Sequence, residues 1–282
     1  MHVPEPAQPY ISLIFPAYNE VRRIAETVGK AVQYFQARGF CCEIIVAADG
    51  DDGTREVVAE MGRSNPAISV IGSTRRAGKG FGIRQAVLRA RGEVIGFSDA
   101  DDKTPIEEFD KFDPFLRRRV DVVIGSRGHA QARIERPQPL HRRVGAKAFA
   151  VIMQSIVGLR GIKDSQCGFK FFQAPVARYL FERQRIDGYM FDVEILSIAI
   201  RAGFKIEQVP VRWRDDNDSR FHVISGGIRD MRELLAIRLM TWRGVYDVPR
   251  AAAASAPERV ASTGLARSAQ SPDATPGIQS KP

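Results

Sequence analysis

The chain has 282 residues, of which 44% are hydrophobic, so it can bury a sizeable core and is not intrinsically disordered as a whole. Its three cysteines show no C-x-x-C spacing, which argues against a zinc site or a disulfide framework and favours a reducing compartment. The net charge of +9 suits phosphate-bearing substrates, an anionic membrane face or nucleic acid, and does not choose among them.

The first part of the chain alternates short apolar runs with amphipathic stretches. This alternation predicts right-handed βαβ units and a mainly parallel sheet. The predicted strands are Tyr10 to Phe15, Glu43 to Ala47, Ile68 to Ile71, Val94 to Phe97 and Val120 to Ile124. Helices are predicted between them, around Ile24 to Gly39, Val57 to Met61, Ile83 to Leu88 and Phe109 to Leu116.

The regular alternation of predicted strands and helices ends after residue 128. The sequence predicts an irregular loop at His129 to Pro139, a helix at Val144 to Val157, a strand through Phe172, a helix from Phe191, a strand at Ile206 to Val211 and a last helix. One side of that last helix carries Ile228, Met231, Leu235, Leu239 and Trp242, and the other carries Arg229, Arg232 and Arg243. Residues 1–247 are therefore expected to form one domain. The Ala, Ser and Pro content of residues 248–282 predicts a disordered tail.

Three carboxylates follow the predicted strand that ends near Phe97. In an open α/β sheet, ligands bind beyond the carboxyl ends of the strands, so Asp99, Asp101 and Asp102 stand where a substrate would lie. Carboxylates are suitable ligands for Mg²⁺ or Mn²⁺, and phosphate oxygens commonly complete the coordination shell of these ions. The segment thus indicates a metal–diphosphate site. The alternative is that Asp99 or Asp102 caps a helix that begins near Pro105.

Two other strand ends carry polar segments. We expect Asp49 to contact a nucleobase and Glu20 a ribose, although Asp49, Asp51 and Asp52 could instead build a turn and a helix cap. The Gly78-Lys79-Gly80 segment lacks the spacing of known phosphate-binding motifs. Its glycines could let the backbone approach a phosphate, with Lys79 and Arg84 supplying charge, or it could be an ordinary helix start.

Together, four motifs resemble the large inverting glycosyltransferase family with the GT-A nucleotide-diphospho-sugar fold. They are Pro16-x-Tyr18-Asn19-Glu20, Asp49-Gly50-x-Asp52-Gly53-Thr54, Gly78-Lys79-Gly80 and Asp99-Ala100-Asp101. Three later segments are similar to the dolichyl- or polyprenyl-phosphate glucosyl- and mannosyltransferase branch: Gly125-Ser126-Arg127, Asp164 to Lys170, and Phe191-Asp192-Val193-Glu194. The resemblance covers roughly residues 10 to 222. The second motif departs from the family pattern, because it is one residue shorter and has Ala48 at its first Asp.

The resemblance implies an α/β fold of the GT-A type, with a Rossmann-like, mainly parallel sheet flanked by helices. It implies a metal-dependent, inverting hexosyltransferase that moves glucose from UDP-glucose to a polyprenyl phosphate, with Mg²⁺ or Mn²⁺ held by Asp99 and Asp101. The alternatives are a soluble small-molecule acceptor, or GDP-mannose as donor. A catalytically silent nucleotide-sugar-binding module is a further alternative, which intact Asp99 and Asp101 oppose.

The same resemblance assigns expected roles to individual residues. The donor is expected to contact Pro16, Tyr18, Asn19, Glu20, Asp49, Gly50, Lys79, Gly80, Arg84, Asp99, Ala100, Lys170 and Arg220. Independently of the resemblance, the position of Arg127, Arg142 and Arg143 after the fifth predicted strand and across the irregular loop predicts contact with the acceptor phosphate, since Arg presents a planar fork to phosphate. The alternative is that these arginines form a solvated basic surface. Asp101 and Asp164 are the expected catalytic residues. For an alcohol acceptor, Asp164 and Asp192 are the candidate bases. Asp164 matches the family motif, and the alternative is that it has a capping or structural role.

The longest apolar run, Ala148 to Leu159, is interrupted and too short to span a bilayer, and residues 1–9 show no secretory signal. We expect a cytoplasmic protein that could meet the inner membrane face through its basic last helix. The alternative is that the apolar stripe packs on the domain or on another copy in a homo-oligomer. Nucleic acid is not expected as a partner, because the basic residues are not interleaved with an aromatic platform.

Overall fold

A seven-stranded sheet forms the centre of the molecule in the computed structural model, which describes residues 8–135, 153–214 and 223–247. The strands are β1 (Ile11–Tyr18), β2 (Cys42–Asp49), β3 (Ile68–Ile71), β4 (Val94–Ser98), β5 (Val122–Ser126), β6 (Arg133–Ile134), β7 (Phe169–Gln173), β8 (Ile206–Pro210) and β9 (Arg212–Trp213). The sheet order is β3-β2-β1-β4-β7-β5-β8, and β6 pairs with β9 in a separate two-stranded sheet. β7 runs antiparallel to both neighbours, whereas the other pairs in the large sheet are parallel.

Helices cover both faces of this sheet. They are α1 (Ile24–Ala37), α2 (Thr54–Ser64), α3 (Lys79–Val87), α4 (Asp113–Arg117), α5 (Ala174–Arg183), α6 (Phe191–Arg201) and α7 (Val223–Trp242), with a 3-10 helix at Ile106–Lys111. Side chains alternate along β1, so Ile14 packs with α3 and α6, whereas Leu13 and Phe15 pack with α1 and the 3-10 helix. The mainly parallel α/β sheet expected from the sequence is therefore confirmed.

Several predicted boundaries differ from the structure. The single helix expected at Phe109 to Leu116 is a 3-10 helix followed by α4, and α5 was not predicted. Of the helix expected at Val144 to Val157, residues 153–157 are helical and 144–152 lie outside the described part. β1 continues through Pro16. The pairing of β1 with β4 ends at Ile14 and Phe97, before Pro16 is reached. Proline has no backbone N–H, so its presence in β1 costs no hydrogen bond to β4.

The strand order reverses between β1 and β4. β2 and β3 lie on one side of β1, and β4 lies on the other. Such a reversal opens a crevice at the carboxyl ends of the strands, where open α/β sheets bind ligands. The loops after β1, β2 and β4 therefore meet at one edge of the sheet. In the described part of the chain, no helix is long and apolar enough to cross a membrane. The predicted tail, 248–282, lies outside the described residues.

Candidate active site

Asp99 and Asp101, the acidic pair, lie at the carboxyl end of β4. The Asp99 Oδ1 atom accepts a hydrogen bond from Lys79 Nζ at 2.6 Å. Its other oxygen lies against Gly168, where an added Cβ would fall 2.0 Å from Oδ2, so any side chain at this position would force the Asp99 carboxylate to move. Asp101 accepts from the backbone N–H of Lys103 at 3.3 Å and lies 3.3 Å from the Lys103 Nζ atom. The acidic pair is thus positioned by backbone and contacted by two lysines.

The capping alternative for this segment is wrong. In the described residues, no side chain caps the 3-10 helix that begins at Ile106. Asp102 instead pairs with Lys30, with Nζ and Oδ2 3.0 Å apart, and its backbone has a φ of 55°. Asn19, at the end of β1, has the same φ of 55°. Non-glycine residues in this conformation are uncommon and concentrate at functional sites, so two of them beside one crevice support a binding role.

The electrostatics of the site favour a bound cation. Burial, and then the charge of Asp99, raise the pKa of Asp101 above its ordinary value. Burial alone would lower the pKa of Lys79, but the charges of Asp99 and Asp192 raise it, so the ammonium stays charged. Two like charges in a partly buried position are stabilised by any cation that approaches both.

The residues present fit a divalent metal that is shared with a phosphate. In the described part of the chain, no group of three His, Cys, Asp or Glu side chains could hold a metal by itself. Mg²⁺ is commonly held by one or two carboxylates, with waters and substrate phosphates completing its octahedron. The acidic pair supplies that number of hard oxygen ligands. The metal would therefore bind here together with a diphosphate.

The ends of β1 and β2 pack against each other at the same edge. Gly50 has a φ of 110°, and an added Cβ would lie 1.9 Å from Asn19 Oδ1, so the two loops touch. The backbone N–H of Glu20 donates to Thr54 Oγ1 at 3.0 Å, which fixes the first loop to the start of α2. The Tyr18 ring is exposed, and the guanidinium carbon of Arg76 lies 4.3 Å from its centroid. Tyr18 thus presents an aromatic face beside the acidic pair's crevice.

Asp49 fastens the loop that precedes Lys79. Its Oδ2 accepts from the backbone N–H of Ala77 at 2.7 Å, and its Oδ1 accepts from that of Ser73 at 3.3 Å. Asp52 builds a turn, because it accepts from the N–H groups of Thr54 and Val21 at 3.0 Å each. The turn alternative therefore describes Asp52. Contact between Asp49 and a nucleobase stays a prediction, since each of its oxygens keeps a second lone pair.

Two of the expected donor-binding cations are held by other groups of the protein. Lys170 is fully buried, and its Nζ donates to Asp192 Oδ1 at 2.7 Å and to the Cys167 carbonyl at 2.6 Å. Arg84 pairs with Asp187 at 2.9 Å and donates to the Gln184 carbonyl at 3.2 Å. Both side chains are held by the protein. To bind a donor phosphate, either side chain would have to give up a partner in the protein, so these partners argue against the two expected donor contacts.

Arg127 and Asp164, which were expected to serve different roles, bind each other. Arg127 donates to the Asp164 carboxylate through Nε at 2.7 Å, Nη2 at 2.9 Å and its backbone N–H at 2.9 Å. Although burial raises it, the pKa of Asp164 lies below its ordinary value because the charge and hydrogen bonds of Arg127 lower it. A carboxylate bound in this way is a weak base, so the structure opposes the expected role of Asp164.

The remaining expected residues divide into two groups. Pro16 and Gly80 are at least partly buried beside the crevice, and the Ala100 carbonyl accepts from Thr27 Oγ1 at 3.0 Å. The expected contacts of Arg142, Arg143 and Arg220 lie outside the described residues.

The sequence profile of Glycosyl transferase family 2 matches residues 12–180. The chain belongs to this family. It is 34% identical over 255 residues to a dolichyl-phosphate beta-glucosyltransferase of Trichomonas vaginalis, covering 86% of this chain and 75% of the relative. It is 29% identical over 258 residues to the dolichyl-phosphate beta-glucosyltransferase of Saccharomyces cerevisiae, covering 84% and 76%. The resemblance read from the motifs is confirmed, and the protein is a glycosyltransferase.

Solved structures show that this family 2 chain has the GT-A fold. Glucosyl-3-phosphoglycerate synthase from Mycobacterium tuberculosis, in complex with Mn²⁺, UDP and phosphoglyceric acid, aligns with a TM-score of 0.58 at 18% identity, covering 86% of this chain and 80% of that one. A mannosyltransferase from Pyrobaculum calidifontis, in complex with GDP-Man and Mn²⁺, aligns with a TM-score of 0.54 at 19% identity, covering 84% and 64%. The expected fold class is therefore confirmed.

Residues that the sequence did not single out complete the crevice of this family 2 glycosyltransferase. The Tyr189 hydroxyl accepts from Arg76 Nη2 at 3.1 Å, which links the loop before α3 to the loop before α6. The Gly188 carbonyl accepts from the backbone N–H of Gly80 at 3.3 Å. The sequence signal for these residues was their position, since Gly188-Tyr189-Met190 directly precedes the Phe191 motif. Only the fold shows that this run lies beside Lys79.

Proposed function

We propose that this glycosyltransferase moves glucose from UDP-glucose to the phosphate of a polyprenyl phosphate, with inversion at the anomeric carbon and with Mg²⁺ or Mn²⁺. The observation that carries the proposal is the 34% identity, over 86% of the chain, to a protein named dolichyl-phosphate beta-glucosyltransferase. The position of the acidic pair at the reversal of strand order supports it, because a nucleotide diphosphate and a metal need such a crevice.

On the donor side, Asp99 and Asp101 would hold the metal ion. When bound there, the ion supplies Lewis-acid stabilisation of the charge that develops on the leaving diphosphate. Lys79 contacts Asp99 at 2.6 Å and has a flexible stem, so its ammonium can pair with a phosphate oxygen beside that carboxylate. The exposed ring of Tyr18 offers a stacking surface for the base. Asp49 and Glu20 remain the proposed contacts for base and ribose.

On the acceptor side, the proposal requires cations and no general base. A phosphate monoester has a second pKa near ~6, so at neutral pH it is largely a dianion and already nucleophilic. This chemistry agrees with the pairing of Asp164 to Arg127, which leaves that carboxylate a poor base. Within the described part of the chain, no hydrogen bond involves Arg127 Nη1, whose donors we propose for the acceptor phosphate together with Arg142 and Arg143.

The test offers the purified chain labelled UDP-glucose or GDP-mannose, a polyprenyl phosphate, and Mg²⁺, Mn²⁺ or EDTA. We expect label in the lipid fraction only with UDP-glucose and metal. Label from GDP-mannose would overturn the donor assignment, and label only in a water-soluble product would replace the acceptor by a soluble one. Asp101→Asn should lower the rate about 10²–10³-fold, the usual cost of removing one charge-stabilising group. Asp51→Asn, an exposed acid in the loop after β2, is the matched control.

A further inference from the structure

The last helix, α7, has an apolar stripe on its exposed side. Ile228, Leu235, Leu239 and Trp242 are all exposed, with 66% of Ile228 and 80% of Trp242 accessible. Their spacing of seven, four and three residues places them on one side of the helix. The opposite side packs on the domain through Leu234 and Ile237, which are fully buried. The sequence left open whether this stripe packs on the domain, and in the part of the chain that the structure describes its side chains are exposed instead.

Arginines flank the stripe on both sides. At about 100° per residue, Arg232 and Arg243 lie about 40° and 60° to one side of Ile228, and Arg238 lies about 80° to the other. All three are exposed. Both acids of the helix point inward: Asp230 is buried, and Glu233 accepts from the backbone N–H of Met190 at 3.0 Å. The outer surface of α7 is therefore apolar along its centre and positive at its edges.

We propose that this outer surface of α7 docks on an anionic lipid bilayer. Trp and Leu side chains of an amphipathic helix enter the boundary between headgroups and acyl chains, and Arg side chains pair with lipid phosphates. A second copy of the chain is a poorer occupant. A two-fold contact over this surface would bring the arginine rows of both copies together, and the described residues of the helix place no acid opposite them. An anionic surface satisfies both the apolar stripe and the charge.

The docked helix connects directly to the crevice. The guanidinium carbon of Arg229 lies 5.3 Å from the centroid of the Tyr189 ring, and Tyr189 accepts from Arg76 beside Tyr18. Glu233 holds Met190 in the same loop. Membrane docking would thus hold the loop that borders Lys79, and would bring the crevice to a phosphate presented by the bilayer. This link to catalysis rests on the proposed polyprenyl phosphate acceptor, whereas the docking itself does not.

Vesicle flotation tests the docking with the full chain. We expect wild type to bind vesicles in which about one third of the lipid is phosphatidylglycerol and the rest is phosphatidylcholine. It should bind vesicles of phosphatidylcholine alone more weakly. Leu235→Glu combined with Trp242→Glu should abolish binding. Arg232→Gln combined with Arg243→Gln should lower the partition coefficient about 25-fold, about fivefold for each charge. Leu88→Glu and Arg118→Gln each make one change of the same kind on other exposed surfaces and should bind like wild type.

The fluorescence of Trp242 gives a second test of the docking, because its emission wavelength depends on whether the indole is exposed to water. The emission difference between wild type and Trp242→Phe should shift to shorter wavelength when anionic vesicles are added. A wild type that does not bind anionic vesicles, or stripe variants that bind as well as wild type, would overturn the proposal. So would a wild-type dimer that the stripe variants convert to monomer in light scattering, which would assign the surface to a second copy. A monomer whose Trp242 emission is already short-wavelength without vesicles would show that the chain itself covers the stripe, and would also overturn the proposal.

A water-soluble, short-chain polyprenyl phosphate separates this proposal from the proposed function. If both hold, the stripe variants glucosylate the short-chain acceptor at the wild-type rate and lose activity on the long-chain acceptor in vesicles. If wild type glucosylates neither acceptor but still requires the stripe for vesicle binding, the acceptor assignment fails and the docking surface stands. If the stripe variants glucosylate both acceptors like wild type, the coupling of docking to catalysis fails.

Discussion

The buried ion pair beneath the crevice gives the sharpest stability prediction. Lys170 lies in the middle of β7, opposite Phe97 on β4 and Ile124 on β5, and its side chain is fully buried. Its Nζ donates to Asp192 Oδ1 at 2.7 Å. Lys170→Met keeps most of the side-chain volume and removes the charge, so it leaves the Asp192 carboxylate buried without its nearest cation. Breaking a buried pair in this way costs about 3–5 kcal/mol.

Urea unfolding followed by circular dichroism measures this change in the free energy of unfolding. Thermal unfolding gives a second measure: a domain of 150–250 residues loses about 2–4 °C in Tm for each kcal/mol, so the Tm of Lys170→Met should fall by about 6–20 °C. Lys163→Met is the matched control, because Lys163 is exposed, and it should stay within about 0.5 kcal/mol of wild type.

The double variant distinguishes a broken charge pair from a damaged strand. Lys170→Met combined with Asp192→Leu removes both charges, and apolar replacement of a buried pair is often neutral or stabilising. We therefore expect the double variant to regain about 2 kcal/mol or more relative to Lys170→Met, within the range of coupling between contacting residues. A single variant as stable as wild type, or a double variant no more stable than Lys170→Met, would refute the reasoning.

Three further predictions concern residues around the crevice. Gly168→Ala should displace the Asp99 carboxylate, because an added Cβ would lie 2.0 Å from its Oδ2, and should weaken metal-dependent UDP binding in calorimetry. Gly29→Ala, in open space within α1, should instead add about 0.5–1 kcal/mol of stability. Asp164→Asn should lower the free energy of unfolding at pH 7, as measured by urea unfolding. Because folding lowers the pKa of Asp164, the difference in unfolding free energy between wild type and variant should shrink as pH falls below about 4. Burial raises the pKa of Cys167 to about 11, so a thiol reagent should label the exposed Cys41 quickly and Cys167 only on unfolding.

The parts of the fold that local sequence determines could be predicted. β3 begins and ends at the predicted residues, and the acidic run after β4 lies at a ligand-binding edge because strand polarity fixes where a strand's last residues point. The insertion of β7 between β4 and β5 could not be predicted, because its pairing joins segments about 50 to 75 residues apart. Antiparallel placement there depends on packing that no local pattern encodes.

The assignment of Lys170 shows why site residues were harder to predict than the fold. A lysine within a motif suggests a ligand contact, yet Lys170 stands among Phe169, Phe171 and Phe172 in a strand buried on both faces. The available signal was an acid in an apolar helix, Asp192, whose charge requires a buried partner. Similarly, α7 has two apolar sides, and only the packing of Leu234 and Ile237 shows which one faces the domain.

Burial separates the cations near the site into two classes with different possible roles. Lys170 is locked in an ion pair that excludes solvent, whereas Lys79 and Lys103 are partly exposed and each contacts one member of the acidic pair. A donor bound with a divalent ion would bring positive charge to the carboxylates and negative charge to the ammonium groups. Lys79 and Lys103 could then exchange a carboxylate for a phosphate partner without leaving any charge uncompensated, which a locked pair cannot do. Under the proposed function, the same two carboxylates would therefore be neutralised by lysine in the free protein and by metal when the nucleotide sugar binds.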